Sequence, residues 1–354
     1  MTLFVVALVT ILVLEFYHDA AVELSLAVNY GGEMQAYHLA LSGVSFARAV
    51  LQQDDAKADG PGDFWYDQLG PETPDVCYPP QLLLSLTGDA SSASPGGESL
   101  DTETPTSDAT EGNEQNCVSL RIFDEQSKLP INAIMAPGNA ANPDDNWHGI
   151  FEEFFTSFEI DLDLLDALVD WIDKDDSPRP GRGAENAYYE GLETPYEASN
   201  GPMQTVAELR LVRGFAYETL AKLFPDREPE AMVDADLGSN AYFTVYGQGE
   251  KAKVNLNTAN AEVLQALLAG LGADSTADVV EQIIATRQET LFENLNNIDA
   301  IPSGIKSKVT KVADVKSAYF RVESVGVVGP IQKRAVAVLY RQPDTISLVY
   351  FKVE

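Results

Sequence analysis

Residues Leu3 to Leu14 read LFVVALVTILVL, apolar except for Thr10. As a helix these twelve residues span roughly 18 Å, short of the ~30 Å hydrocarbon core of a bilayer. The helical pattern continues beyond them. No proline precedes Pro61, and apolar positions such as Val22, Leu26, Met34, Tyr37, Leu41 and Val44 recur at helical spacings, with threes, fours and sevens among them. The spacing predicts one helix from about Leu3 to Gln53, roughly 75 Å long, with Gly31-Gly32 as its soft point. The alternative is a short core helix followed by a second one. His18 and His38 ride on this helix as packing or surface residues.

Beyond Asp54 the periodicity collapses into DDAKADGPGD, a turn-rich linker. Thr87 to Gln115 is almost entirely Ser, Thr, Gly, Asp, Glu, Asn, Pro and Ala, which cannot build a core and reads as a mobile surface loop. Val118 to Phe123 then alternates Val118, Leu120 and Ile122 on one face, a half-buried strand. Three more strands follow near the end, Ala318–Val325, Ile331–Arg341 and Ile346–Val353. Gly326, Gly329-Pro330 and Gln342-Pro343-Asp344 supply the turns of an antiparallel meander. The strand near 118 and the meander near 318 are separated by a long stretch of mostly helical pattern. The architecture this implies is α+β: a long helix, an antiparallel sheet, and a helical domain inserted into the sheet region. The boundaries fall at 1–53, 54–129, 130–317 and 318–354.

Within the insert, Asp161 to Asp173 (DLDLLDALVDWID) sets Leu162, Leu165, Val169 and Ile172 on one helical face. Thr205-Val-Ala-Glu208 is a capping box, and Gly214 suits the stop of that helix. The loop between them is dense in Asp, Glu, Gly and Pro. Asp173 and Asp175, at i and i+2, could set oxygens around one hard cation. An EF-hand would place its third ligand at Ser177 and its glycine at Pro178, and Glu185 falls one place late, so the loop is not an EF-hand. An irregular Ca²⁺ loop and a solvated acidic loop both fit these residues. In the second half of the insert, 251–317, Val254 to Arg287 resembles a helix–hairpin–helix unit. Thr258 is its expected cap and Gly270-Leu271-Gly272 its hairpin. The next residues are Ala273 and Asp274, without the basic flank that holding DNA requires. It reads as a packing element.

Charge narrows the field of functions. The 354 residues hold 23 Lys and Arg against 55 Asp and Glu, a net charge of −32, so broad contact with nucleic-acid phosphates is disfavoured. Three histidines and two cysteines leave no Cys₄ zinc site or iron–sulfur cluster, and no HExxH motif occurs. Cys77 and Cys117 bracket the acidic Ser/Thr-rich loop; they are either a disulfide in an oxidising compartment or two free thiols.

Taken in order, DEQSKLPINA (124–133), LVDWIDKDDSPRPGRGAENAYYEGLETPYEASNGPM, ELRLVRG (208–214) and VNLNTANAEVLQAL resemble one family, the minor pseudopilin K of type II secretion systems. The series W-x-D-x-D, G-A-E-x-x-Y-Y, N-G-P and E-L-R-L-V-x-G is specific, and the likeness covers nearly the whole chain. The resemblance implies a pilin-like long helix and antiparallel sheet with a large helical insert. It also implies a place at the tip of a periplasmic pseudopilus, beside the minor pseudopilins I and J, with H connecting to the shaft of major pseudopilin. The body would be periplasmic and the first helix would sit in the inner membrane. The family's calcium and disulfide point to Asp173, Asp175, Asp176, Glu185 and Asn200 as Ca²⁺ ligands and to a Cys77–Cys117 bridge. Pseudopilins carry a short basic leader cut after glycine, whereas this chain starts at Met1 within the apolar run, so residues ahead of Met1 are expected. Pro130 departs from the family, in which that stretch continues as a strand.

Two other functions are open to this sequence. One is a DNA-handling protein of a competence-like system built on the helix–hairpin–helix unit, against which the net charge speaks. The other is a Ca²⁺-dependent hydrolase on the acidic loop, for which no nucleophile–base arrangement is visible. The reading carried forward is a structural subunit without catalysis.

Overall fold

Helix α1 (Thr2–Gln53) runs unbroken through Gly31-Gly32 in the computed structural model of the chain, which describes residues 2–54, 57–74, 76–81, 116–135, 142–224 and 242–354. The Ser/Thr-rich segment expected as a loop, Thr87 to Gln115, lies outside the described residues. After α1 come α2 (Phe64–Leu69), β1 (Cys77–Tyr78), β2 (Cys117–Asp124) and β3 (Leu129–Pro130). The helical body holds α3 (Asp145–Ser157), α4 (Asp163–Ile172), α5 (Asn186–Tyr189), α6 (Tyr217–Leu223), β4 (Phe243–Thr244) and β5 (Val254–Asn255). It continues with α7 (Ala261–Gly270), α8 (Thr276–Glu289), α9 (Lys306–Val312) and β6 (Ala313–Asp314). The chain closes with β7 (Tyr319–Val328), β8 (Ile331–Arg341) and β9 (Ile346–Val353).

The five-stranded sheet has the order β1-β2-β7-β8-β9 and is antiparallel throughout. β2 joins the C-terminal meander in register, Cys117 opposite Val327 and Asp124 opposite Phe320. Alternation along β2 buries Val118, Leu120, Ile122 and Asp124 on one face. That face receives α1. Ala36, Ala40 and Ala47 are fully buried, and with Gly43 they make a stripe of small residues at helical spacing. The sheet is equally bare beneath it: a Cβ on Gly326 would overlap the Ala36 carbonyl, and one on Gly43 would overlap Ser324. Small side chains on both sides let helix and sheet backbones meet. Around this seam Phe46, Leu51, Trp65, Leu120, Ile122, Phe320, Val322 and Leu339 form one hydrophobic core.

The helical body has its own core, with Trp147, Phe151, Phe154, Leu164, Leu168, Trp171, Leu209, Phe243, Leu264 and Leu267 among its members. α3 and α7 cross at Gly149 and Gly270, where a Cβ on Gly270 would stand 2.5 Å from the Ile150 backbone. The helical body also contains two short parallel ladders, β3 with β4 and β5 with β6, so Pro130 does sit in a strand.

Several local details differ from the sequence-based expectations. The capping box at Thr205 and Glu208 is present, but the turn it opens is a 3₁₀ helix over Val206–Leu211 that ends at Val212, ahead of Gly214. Helix α7 is capped by Asn260, whose side chain accepts from the Val263 N–H at 2.9 Å. Thr258 turns away instead and donates to Asp124 at 2.6 Å. A buried carboxylate outcompetes the helix terminus for that hydroxyl, because leaving the charge unanswered costs more than losing one cap.

Candidate functional site

Two features stand out chemically: a long apolar helix half with nothing on it, and a knot of carboxylates in the helical body. The helix half is the simpler. Leu3, Phe4, Ile11, Leu14, Phe16, Leu24 and Leu26 are all exposed, and none of the most apolar window of α1 is buried. By length and composition α1 is long and apolar enough to cross a membrane. Burying such a surface against lipid or neighbouring helices is worth on the order of 25 cal/mol per Å² of apolar area. The same helix meets the sheet from about Gly32 onward, and its exposed half continues from the docked half without a break.

The carboxylate knot is built by α4 and the loop after it. Asp170 lies in the last turn of α4 and Asp173 caps its C-terminus. Glu185 stands immediately before α5. Each contributes an oxygen, and the three oxygens lie within 4.8 Å of one another. All three residues are buried. Both carboxylate oxygens of Glu185 are buried without a hydrogen-bond partner, as are one oxygen of Asp170 and the side-chain oxygen of Asn200. Arg179 approaches Asp170, its Nε 3.6 Å from one oxygen and its backbone N–H donating to the other at 3.0 Å. Burial pushes the Glu185 carboxyl up to about 8, helped by repulsion from Asp170, Asp173, Asp175 and Asp176. Burial and the neighbouring Asp175 and Asp170 push Asp173 up to about 6. Such an arrangement is expensive as three bare anions and suits a hard divalent cation, since every side-chain donor is oxygen and none is sulfur or imidazole.

The sequence-based ligand set overlaps this knot in part. Asp173 and Glu185 belong to it. Asn200 is not one of the three; its side-chain oxygen is buried without a hydrogen-bond partner, at a left-handed backbone position, φ 44°. Asp175 and Asp176 lie outside the triplet: Asp175 accepts from the Ser177 N–H at 2.9 Å, and Asp176 accepts from the Asn186 amide at 3.2 Å. Asp170 was missed. The usable signal was its spacing, three residues before Asp173 on the same helical face.

A third polar cluster holds helical body and sheet together. Asp124, the last residue of β2, accepts from the Gln126 N–H and from the side chains of Asn255, Thr258 and Ser317. Arg341 of β8 binds Asp54 and Asp59 beside it. Burial raises the Asp59 carboxyl and the Arg341 guanidinium opposes that rise. The conspicuous NLN of VNLNTANAEVLQAL supplies Asn255 and Asn257, both fully buried. Asn257 exchanges hydrogen bonds with the backbone of Phe292 at 3.0 and 3.1 Å. In DEQSKLPINA, Asn132 ties Met203 and Val245 in the same way. These motifs are therefore structural staples. Cys77 and Cys117 are disulfide-bonded, joining β1 to the start of β2.

Against known proteins, a family profile described as type II secretion system protein K matches residues 127–226, and a second of the same description matches 254–317. The type II secretion system protein K of Aeromonas hydrophila is 29% identical over 238 residues, 63% of this chain and 66% of that protein. The chain thus spans just under two thirds of that relative's length. The protein of the same name from Pseudomonas aeruginosa is 25% identical over 346 residues, covering 97% of this chain and 87% of its own. Among solved structures, a chain of the GspK–GspI–GspJ complex from the enterotoxigenic Escherichia coli type 2 secretion system superposes with a TM-score of 0.57 at 16% identity. That match covers 96% of this chain and 99% of the other, and it speaks to the fold.

Proposed function

We infer the function of this chain from its family: it belongs to the type II secretion system protein K family and is a minor pseudopilin. We propose that it sits at the tip of the pseudopilus, helps initiate pseudopilus assembly and thereby supports protein secretion across the outer membrane, without catalysis. The observation that carries this reading is the division of α1 into a docked half and a bare apolar half. A helix of that kind can be held first in the inner membrane and then packed against neighbouring helices, leaving the body in the periplasm. Its partners in this reading are the minor pseudopilins I and J, with H linking them to the major pseudopilin shaft. The bulk of the helical body favours a terminal position, because a subunit stacked above it would meet the insert. The helix–hairpin–helix unit is a packing element in this reading. Its Leu271 carbonyl is taken by Lys308 at 3.0 Å, and its Gly270 is packed against Gly149.

We also propose that Asp170, Asp173 and Glu185 hold one structural Ca²⁺, with the Asn200 side chain as a further oxygen donor. The orphaned buried oxygens support this, and the ion would order the loop between α4 and α5 by mass action. The assembly role is tested by removing the gene from its secretion system and restoring it in two forms. The full chain should restore release of secreted protein, and a form with Leu12 and Leu24 both changed to Asp should not. Restoration by both forms would refute a role for the bare helix.

A further inference from the structure

Cations are scarce in this chain, 23 against 55 acidic residues. Five of them nevertheless line one cavity of about 580 Å³ at the seam between the helical body and the sheet: Lys57, Lys251, Lys253, Lys316 and Arg341. The lining holds one acidic residue, Asp314. One of its carboxylate oxygens accepts from the Val315 N–H at 2.8 Å.

The five cations are not equivalent. Arg341 is buried and already bound to Asp54 and Asp59. Lys253 is held by the carbonyls of Thr310 and Lys311 at 2.7 and 2.6 Å. Lys251 and Lys316 are exposed and come from the two sides of the same seam, one ahead of β5 and the other after β6. Lys251 sits over the Tyr340 ring, its Nζ 5.0 Å from the centroid. Tyr340 stacks on Tyr319 at 4.6 Å, and Tyr319 stacks on Tyr246 at 5.7 Å. Tyr319 and Tyr340 thus line the cavity as a stacked pair, backed by Tyr246, with lysines and Pro343 in the same lining.

We propose that this cavity is a docking site for an acidic peptide segment of a partner polypeptide, one that carries Glu or Asp beside an aromatic residue. The tyrosine pair takes the apolar part and Lys251 and Lys316 take the carboxylates. A volume of this size suits a few residues of peptide. A phosphate would prefer a free guanidinium fork, and the one arginine in the lining is committed to aspartates. A long polyanion meets the repulsion of the whole chain, net charge −32, whereas a short acidic segment meets the local lysines. This assignment does not depend on the secretion role; the peptide site would exist on the isolated chain.

The test uses the full chain in detergent micelles and a rhodamine-labelled hexapeptide of alternating glutamate and tyrosine, read by fluorescence anisotropy. The peptide should bind, and its glutamine counterpart should bind at least about tenfold more weakly. Lys251→Glu with Lys316→Glu should cost about tenfold in affinity, while Lys306→Glu, away from the cavity, leaves binding unchanged. Both altered lysines are exposed, so the thermal melt of the double variant should match the parent. Equal binding by the double variant, equal binding of the glutamine peptide, or no binding at millimolar peptide would overturn the proposal. Inorganic phosphate binding through the same lysines more tightly than the peptide would overturn it too.

Discussion

Glu185 is 3% exposed, and neither of its carboxylate oxygens has a donor. Below its ordinary value of 4.5 the residue is neutral in both folded and unfolded chain, and burial costs little. Between there and about 8 the unfolded chain releases the proton while the folded chain retains it or holds a buried anion. Without a divalent cation, this group therefore makes stability fall as pH rises through that window. A bound Ca²⁺ answers the anion, so the share of the fall that comes from Glu185 should vanish and the slope should become shallower, and ion affinity should grow with pH as protons cease to compete. Thermal melts at several pH values between 5 and 8, in chelator and in millimolar Ca²⁺, read this directly. The same downward slope in both would contradict the site. Glu185→Gln should abolish most of the Ca²⁺-dependent rise in melting temperature and flatten the slope in chelator; an unchanged Ca²⁺ response would move the ion elsewhere. At this scale the sequence was half legible. Asp173 and Glu185 were accessible from acidic density and spacing. Asp170 was hidden because an Asp inside an amphipathic helix reads as a solvent-facing residue until the burial of that turn is known.

The association of α1 with the sheet rests on the absence of side chains as much as on their presence. Ala36, Ala40 and Gly43 meet β7, where Gly326 completes the close approach. Gly326→Val should be destabilising by about 1–3 kcal/mol or more, since a side chain there would overlap helix backbone that cannot move aside. Chemical denaturation should show it as a lower midpoint with the slope unchanged; a midpoint equal to the parent's would mean that helix and sheet are not in contact there. The Cys77–Cys117 bridge closes a separation of 40 residues, and by the chain-entropy argument its loss costs about 4 kcal/mol. Cys77→Ser with Cys117→Ser should lower the denaturation midpoint accordingly, and no change would place that stability elsewhere. Long periodic elements were readable in advance: α1, the strands near 118, 331 and 346, and the helices around Leu165 and Leu264 announce themselves by hydrophobic spacing. Short polar devices were not. Thr258 resembles a helix cap in sequence, yet Asp124, more than 130 residues away in the chain, claims it. Such non-local competition leaves no periodic trace.

At the scale of the molecule, one hydrophobic core lies under α1 and the sheet and another fills the helical body, with Asp124, Asn255 and Ser317 bridging them. That staple ties the body to the end of β2, while the most apolar window of α1 stays unburied. The molecule thus offers an exposed apolar helix to its surroundings. The charge of −32 disfavours unspecific contact with polyanions. Photo-crosslinking in the living secretion system probes this arrangement most directly. Benzophenone side chains are introduced singly in place of Leu12, Leu24 and Tyr30, all exposed on α1, and the adducts are identified by mass spectrometry. The account predicts adducts with the minor pseudopilins I and J at these positions, and none from a probe in place of the buried Phe154. Adducts from α1 with copies of this chain along a filament, or with no pseudopilin at all, would contradict it.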